Sequence, residues 1–151
     1  MPVLVVGADT EMGKAAVDAL LSRDGEVRAF VTDPGVALDL KKRGVKVATG
    51  DVSDASHVGG AATSVFSAVL VSAAATDDRE RSFAATPLAV ARAWAEGLSD
   101  ARVKRIIWVG PSTLAEEAGL SACAPEFAVV EANDVSMAAT MVAEFDERAE
   151  L

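Results

Sequence analysis

The sequence predicts an α/β fold, a doubly wound parallel sheet folded as a single three-layer domain. Three observations carry this: six short apolar runs rich in β-branched residues, helical stretches between them, and a pair of glycines where the first run meets the first helix. Strands buried on both faces read as nearly continuous apolar runs, whereas a half-exposed sheet alternates. Right-handed crossovers then leave the doubly wound sheet as the economical topology.

The elements follow in order. The first run, VLVVG at 3–7, is a buried strand, and the helical stretch 11–23 follows at once. VRAFVT at 27–32 gives the second strand and 36–43 the second helix; VKVAT at 45–49 gives the third strand and 55–63 the third helix. AVLVS at 68–72 and RIIWV at 105–109 flank the helix 87–98, which is announced by Thr86 as N-cap and Pro87 at the first helical position. FAVVE at 127–131 is the sixth strand, and 135–149 the last helix, with Asn133 as expected cap and Asp134 in the first turn. No linker, repeat or low-complexity tract interrupts the 151 residues, so every element fits one domain, 1–151.

Composition narrows the function classes. Fourteen basic against 23 acidic residues give a net charge of −9, which repels nucleic acid and anionic membrane surfaces alike. A single cysteine, Cys123, leaves no internal disulfide and no cysteine-built zinc cage, which fits a reducing compartment. The opening MPVLVVGAD has no basic leader, and no apolar run nears the ~20 residues of a spanning helix, so a cytoplasmic location is expected.

The richest segment is Gly7-Ala8-Asp9-Thr10-Glu11-Met12-Gly13, between first strand and first helix. In that context Gly7 allows a sharp turn. Gly13 lets the helix pack close, while the free N–H groups of its first turn point at a diphosphate. Thr10 stands where a glycine usually allows the closest approach. Asp9 and Glu11 bring negative charge beside the expected phosphates, and carboxylates compete with an anion for the helix dipole.

Four blocks in order now mark a resemblance: GADTEMG at 7–13, VRAFVTDP at 27–34, GDVSD at 50–54 and VKRIIWVGPS at 103–112. The chain resembles the atypical short-chain dehydrogenase/reductase superfamily, in particular its NmrA-like NAD(P)-binding Rossmann-fold proteins. The resemblance implies that residues 7–13 hold the diphosphate, that Asp51 and Val52 border the adenine, and that Ser72, Ala73 and Ala74 pass the nicotinamide ribose. It also places Thr32 where an arginine commonly meets the 2′-phosphate of NADP. With Asp33 able to accept a bond from a free ribose hydroxyl, this tilts the expected cofactor toward NAD.

Catalysis is where the pattern departs. Such enzymes use a tyrosine acid, a lysine four residues on, and a serine or threonine. Ser112 fits the serine slot, but the chain has no tyrosine and no lysine beyond Lys104. Without a proton donor in reach of the reacting oxygen, a dinucleotide-binding protein that is catalytically silent or weak is expected, as a redox sensor or accessory subunit. The alternatives are an NAD(P)-dependent oxidoreductase with an unusual proton donor, and an interaction protein that has lost the cofactor. The C-terminal substrate lobe common in the superfamily is expected to be missing.

Other residues read more plainly. His57 is the lone histidine, an exposed helix residue with no second metal-type side chain spaced to join it, and no metal site is expected. Cys123 lacks a basic neighbour and reads as an idle thiol. The run Asp77-Asp78-Arg79-Glu80-Arg81 reads as a solvated cap, and Trp94 and Trp108 as core. The helix 87–98 is apolar over more than one face. Val90, Trp94 and Leu98 would meet the sheet, leaving Leu88, Ala91 and Ala95 as a seam for a homodimer unless the chain's own 114–124 segment covers it.

Overall fold

A computed structural model describes residues 1–77 and 84–151. Six parallel strands, β1 (Val3–Val6), β2 (Val27–Val31), β3 (Lys46–Thr49), β4 (Ser67–Val71), β5 (Arg105–Val109) and β6 (Glu126–Val130), form one sheet in the order β3-β2-β1-β4-β5-β6. The chain starts at the middle, winds outward through β3, then returns to the other side, so the direction of winding reverses between β1 and β4. That reversal opens a crevice above the carboxyl ends of the two strands, where ligands of such sheets bind.

Strand periodicity sorts the core into two layers. Leu4, Val6, Phe30, Ala68, Leu70, Ile106 and Trp108 face one side. The residues between them, among them Val3, Val5, Ala29, Val69 and Ile107, face the other. On the first side lie α3 (Ala55–Ala61), α5 (Pro87–Ala101) and α6 (Ser112–Glu117); on the second lie α1 (Glu11–Leu21), α2 (Pro34–Lys42) and α7 (Val135–Glu147). Trp94 of α5 and Trp108 of β5 meet with ring centroids 6.1 Å apart, both fully buried, as expected of core residues. Each indole N–H is satisfied, Trp94 by the Val52 carbonyl at 2.8 Å and Trp108 by the Pro111 carbonyl at 2.9 Å.

Caps set several boundaries. Thr86 accepts the Ala89 amide at 3.1 Å, as its sequence position predicts. At α7 the cap is Asp134, accepting from the Ser136 amide at 2.8 Å, and not Asn133. Asp33 caps α2 and draws its start forward to Pro34. Three short elements went unforeseen: α4 (Ser72–Thr76), directly after β4, then α6, and a 3-10 turn at Leu120–Ala122. The charged run 77–81 lies, apart from Asp77, outside the described residues.

Of the three residues on which a homodimer seam was expected, Ala91 and Ala95 are not on the surface and Leu88 is half-buried. Ala91 is fully buried and Ala95 is 9% exposed, both packed in the core with Ala115 and Leu120 from the chain's own 112–124 segment. The excess apolar width of α5 is therefore used within the chain, between the sheet on one side and α3, α6 and the 3-10 turn on the others.

At the opposite end of the sheet, Arg105 is wholly buried where β5 begins. One guanidinium nitrogen donates to the carbonyls of Phe145, Asp146 and Arg148 at 2.8, 3.0 and 2.7 Å. The other meets the Glu126 carboxylate at 2.9 and 3.1 Å. The carbonyl end of α7, where the helix dipole is negative, is thus held by a buried cation.

Candidate functional site

The site is assembled from the carboxyl ends of β1, β2, β4, β5 and β6. At the first turn, Gly7 has φ +87°, a left-handed conformation, and a Cβ there would stand 2.7 Å from the Ala74 Cβ. A Cβ on Gly13 would stand 1.9 Å from the Gly7 carbonyl oxygen, so α1 packs on the turn as closely as backbone allows. Ala8 is fully buried behind it.

Thr10 is the N-cap of α1. Its hydroxyl oxygen accepts the Gly13 amide at 3.0 Å and donates to the Gly7 carbonyl at 2.6 Å, closing the turn upon itself. The amides of Glu11 and Met12 take no acceptor from the described residues and remain available at the positive end of the helix. This donor set fits a diphosphate. Glu11 is exposed in the first turn, where it competes for the same dipole.

Asp9 does something the sequence does not suggest. One carboxylate oxygen accepts the backbone amides of Thr32 and Asp33 at 2.9 and 3.0 Å, tying the first turn to the end of β2. Its charge is thus directed at the neighbouring turn and away from the free amides of α1. Thr32 in turn donates its hydroxyl to the Gly50 carbonyl at 3.1 Å, lacing in β3. Asp33 is exposed, with one oxygen on the Gly35 amide at 2.8 Å.

Asp51 folds back on its own turn, accepting the Ser53 amide and hydroxyl at 2.8 and 2.7 Å. Val52 is fully buried, its carbonyl held by Trp94. Ser72, Ala73 and Ala74 form the start of α4. Ser72 and Ala73 line a cleft and Ala74 is buried beneath Gly7. Ser112 opens α6 and donates its amide to Glu131 at 2.8 Å, but it is not part of the cleft wall.

That cleft, about 540 Å³, lies over the ends of β4, β5 and β6, between Met12, Ser72, Gly110, Glu131 and Asn133. A shallower one of about 320 Å³ continues past Ser72 and Pro111 to Thr76, Pro87, Leu114 and Glu117. Among the described residues no lysine or arginine lines either. Glu131 and Asn133 escaped the sequence reading because one looked like a strand end and the other like a cap. Their position after the sixth strand, at the carboxyl edge, was the available signal.

The remaining candidates lie elsewhere. His57 is exposed, its ring edge-on to Phe30 at 5.0 Å. Cys123 is half-buried against the core cluster. No three His, Cys, Asp or Glu side chains gather as a metal site among the described residues, and no helix among them is long and apolar enough to cross a membrane.

Fold and turn together define a Rossmann-type domain shaped for a dinucleotide. The chain matches the family described as NAD(P)H-binding over residues 7–143 and belongs to it, in agreement with the NmrA-like resemblance of its sequence blocks. Curated proteins gave no match. Among solved structures, the chain is similar to the anaerobillin reductase ChuY of Escherichia coli O157:H7, with TM-score 0.77, 17% identity and coverage of 99% of this chain and 92% of that one. It is similar to the quinone oxidoreductase QOR2 of Escherichia coli complexed with NADPH, with TM-score 0.68, 20% identity and coverage of 85% and 48%. The triphenylmethane reductase of a Citrobacter species, complexed with NADP(H), aligns with TM-score 0.62, 20% identity and coverage of 96% and 46%. The chain spans about half the length of the last two.

Proposed function

We propose that the chain binds NAD(P)H with the diphosphate on the Gly7–Gly13 turn and the nicotinamide end toward the cleft beside Ser72, and that it is silent toward alcohols and carbonyl compounds. The observation that carries this is the closed turn, which leaves the Glu11 and Met12 amides free beside two glycines that admit no side chain. Bound there, the cofactor supplies a hydride. The chain's own residues hold it: α1 offers its dipole, Met12 and Gly110 shape the cleft, and Glu131 fixes the start of α6 through the Ser112 amide. Reduction of a ketone also needs a proton on the nascent alkoxide, and the sequence contains no tyrosine to give it. Calorimetry and thermal melting with NAD⁺, NADH, NADP⁺ and NADPH test the reading. A ligand at ~100 times its Kd raises stability by about 2.7 kcal/mol, and the absence of heat and of any shift at millimolar concentration overturns it.

A second reading follows from the cleft, whose described lining carries no lysine or arginine: hydride transfer to a conjugated acceptor. A quinone spreads the arriving electron pair over its ring system and takes its proton from water; a cationic dye is neutralised by the hydride alone. Neither needs a protein acid. The similar structures named for anaerobillin, quinone and triphenylmethane reduction support this class. Oxidation of NAD(P)H by a quinone or triarylmethane dye, with none by a simple ketone, is the expected outcome. Equal inertness toward all three returns the chain to the role of a binding protein, a redox sensor or accessory subunit.

A further inference from the structure

The dinucleotide site proposed above has an inner selectivity that rests on one side chain. We infer that Asp9 sets which dinucleotide the chain accepts, rejecting a 2′-phosphate and admitting a free 2′-hydroxyl. In the observed strand order β2 is the immediate neighbour of β1. The adenosine ribose of a ligand whose diphosphate sits on the first turn therefore reaches the carboxyl end of β2. At that point the amides of Thr32 and Asp33 converge, just ahead of α2. Two convergent amides at a helix start form a seat for an anion. This chain fills the seat with its own carboxylate, the Asp9 oxygen at 2.9 and 3.0 Å.

The other Asp9 oxygen is buried and has no hydrogen-bond partner. Asp33 adds a second carboxylate beside it, one of whose oxygens serves the α2 cap. The basic residues of this βα unit are placed elsewhere: Arg28 is tied to Glu26 at the start of β2, Lys41 and Lys42 lie in the last turn of α2, and Arg43, its C-cap, is paired with Asp18. A 2′-phosphate would have to evict Asp9 from both amides and then lie beside two carboxylates, with no lysine or arginine of the described residues bonded at this point. A 2′-hydroxyl is a donor, and a small movement brings it an acceptor on Asp9 or Asp33. The sequence pointed to Thr32 and Asp33 for this preference; the structure makes Asp9 its centre.

The test is competitive binding of NADH and NADPH to the intact chain, to Asp9→Asn and to Asp9→Ser, each checked for an intact fold by thermal melting. The unaltered chain is expected to favour NADH by at least about tenfold, or about 1.4 kcal/mol. Asn keeps an oxygen for the amides but loses the charge, and Ser vacates the seat; both should tighten NADPH with little change for NADH. Equal or tighter binding of NADPH by the unaltered chain overturns the inference, as does an equal change for both ligands in the variants. Should the variants not fold, ADP-ribose against its 2′-phosphorylated form on the unaltered chain decides the same question: a preference for ADP-ribose supports the inference and equal binding overturns it. Binding of neither dinucleotide in any form overturns the dinucleotide reading itself, an outcome distinct from binding without preference.

Discussion

A Cβ on Gly13 would stand 1.9 Å from the Gly7 carbonyl oxygen, so helix and turn touch through backbone alone. Gly13→Ala must push α1 off the turn, at about 1–3 kcal/mol for forced overpacking, and should abolish dinucleotide binding. Gly60→Ala provides the control. Its added methyl meets nothing within 4 Å, and it lies in α3, so it should leave stability unchanged or raise it. Urea melts of the two variants separate these outcomes.

Thr10 closes the same turn from its side chain. Thr10→Ala removes the cap on the Gly13 amide and should cost about 1 kcal/mol, whereas Thr10→Ser retains the hydroxyl and should cost far less. Equal losses for Ala and Ser, measured by thermal unfolding, would show that the hydroxyl does not close the turn.

Much of this fold was legible in advance. All six strands announced themselves: β1, β4 and β5 are buried on both faces and leave continuous apolar runs, while the edge strands β3 and β6 are only partly buried and still carry short apolar runs at the expected spacing. The short α4 did not. SAAAT is five small or polar residues with too little length for a helical period. The shape of the candidate turn was legible where it depends on local geometry, at Gly7, Gly13 and the β1–α1 junction. It was illegible where it depends on a side chain reaching backbone in another βα unit: Asp9 meets two amides that carry no sequence signature. The apolar width of α5 at Ala91 and Ala95 was ambiguous for a related reason. A helix wedged between a sheet and further helices of its own chain is apolar on several sides, and periodicity cannot tell that from a subunit contact.

That packing makes a prediction of its own. Because Ala91 is fully buried against the chain's own core, Ala91→Glu should unfold the protein outright, the charge having neither space nor partner. Circular dichroism and light scattering distinguish this from a folded variant whose mass has merely fallen, which would restore the idea of a dimer contact.

The far end of the sheet contributes to acid stability. The Leu151 amide, at 2.6 Å, and the Arg105 guanidinium hold the Glu126 carboxyl below its usual range. Since the folded pKa is depressed, this stabilisation is fully present above the unfolded carboxylate pKa and is lost as pH falls through the folded one. Glu126→Gln should therefore flatten the acid limb of the stability profile while changing its slope little near neutrality. Arg105→Ala should be much more severe, because it leaves the helix-end carbonyls of Phe145, Asp146 and Arg148 without their buried donor.

On the reading proposed above, the Gly7–Gly13 turn carries the dinucleotide. Calorimetric titration of NADH into the unaltered chain, repeated with Gly13→Ala, tests it most directly. Saturable heat at a single site is expected in the former, and its loss in a still-folded Gly13→Ala. Undiminished binding by the variant, or none by the unaltered chain, would contradict it.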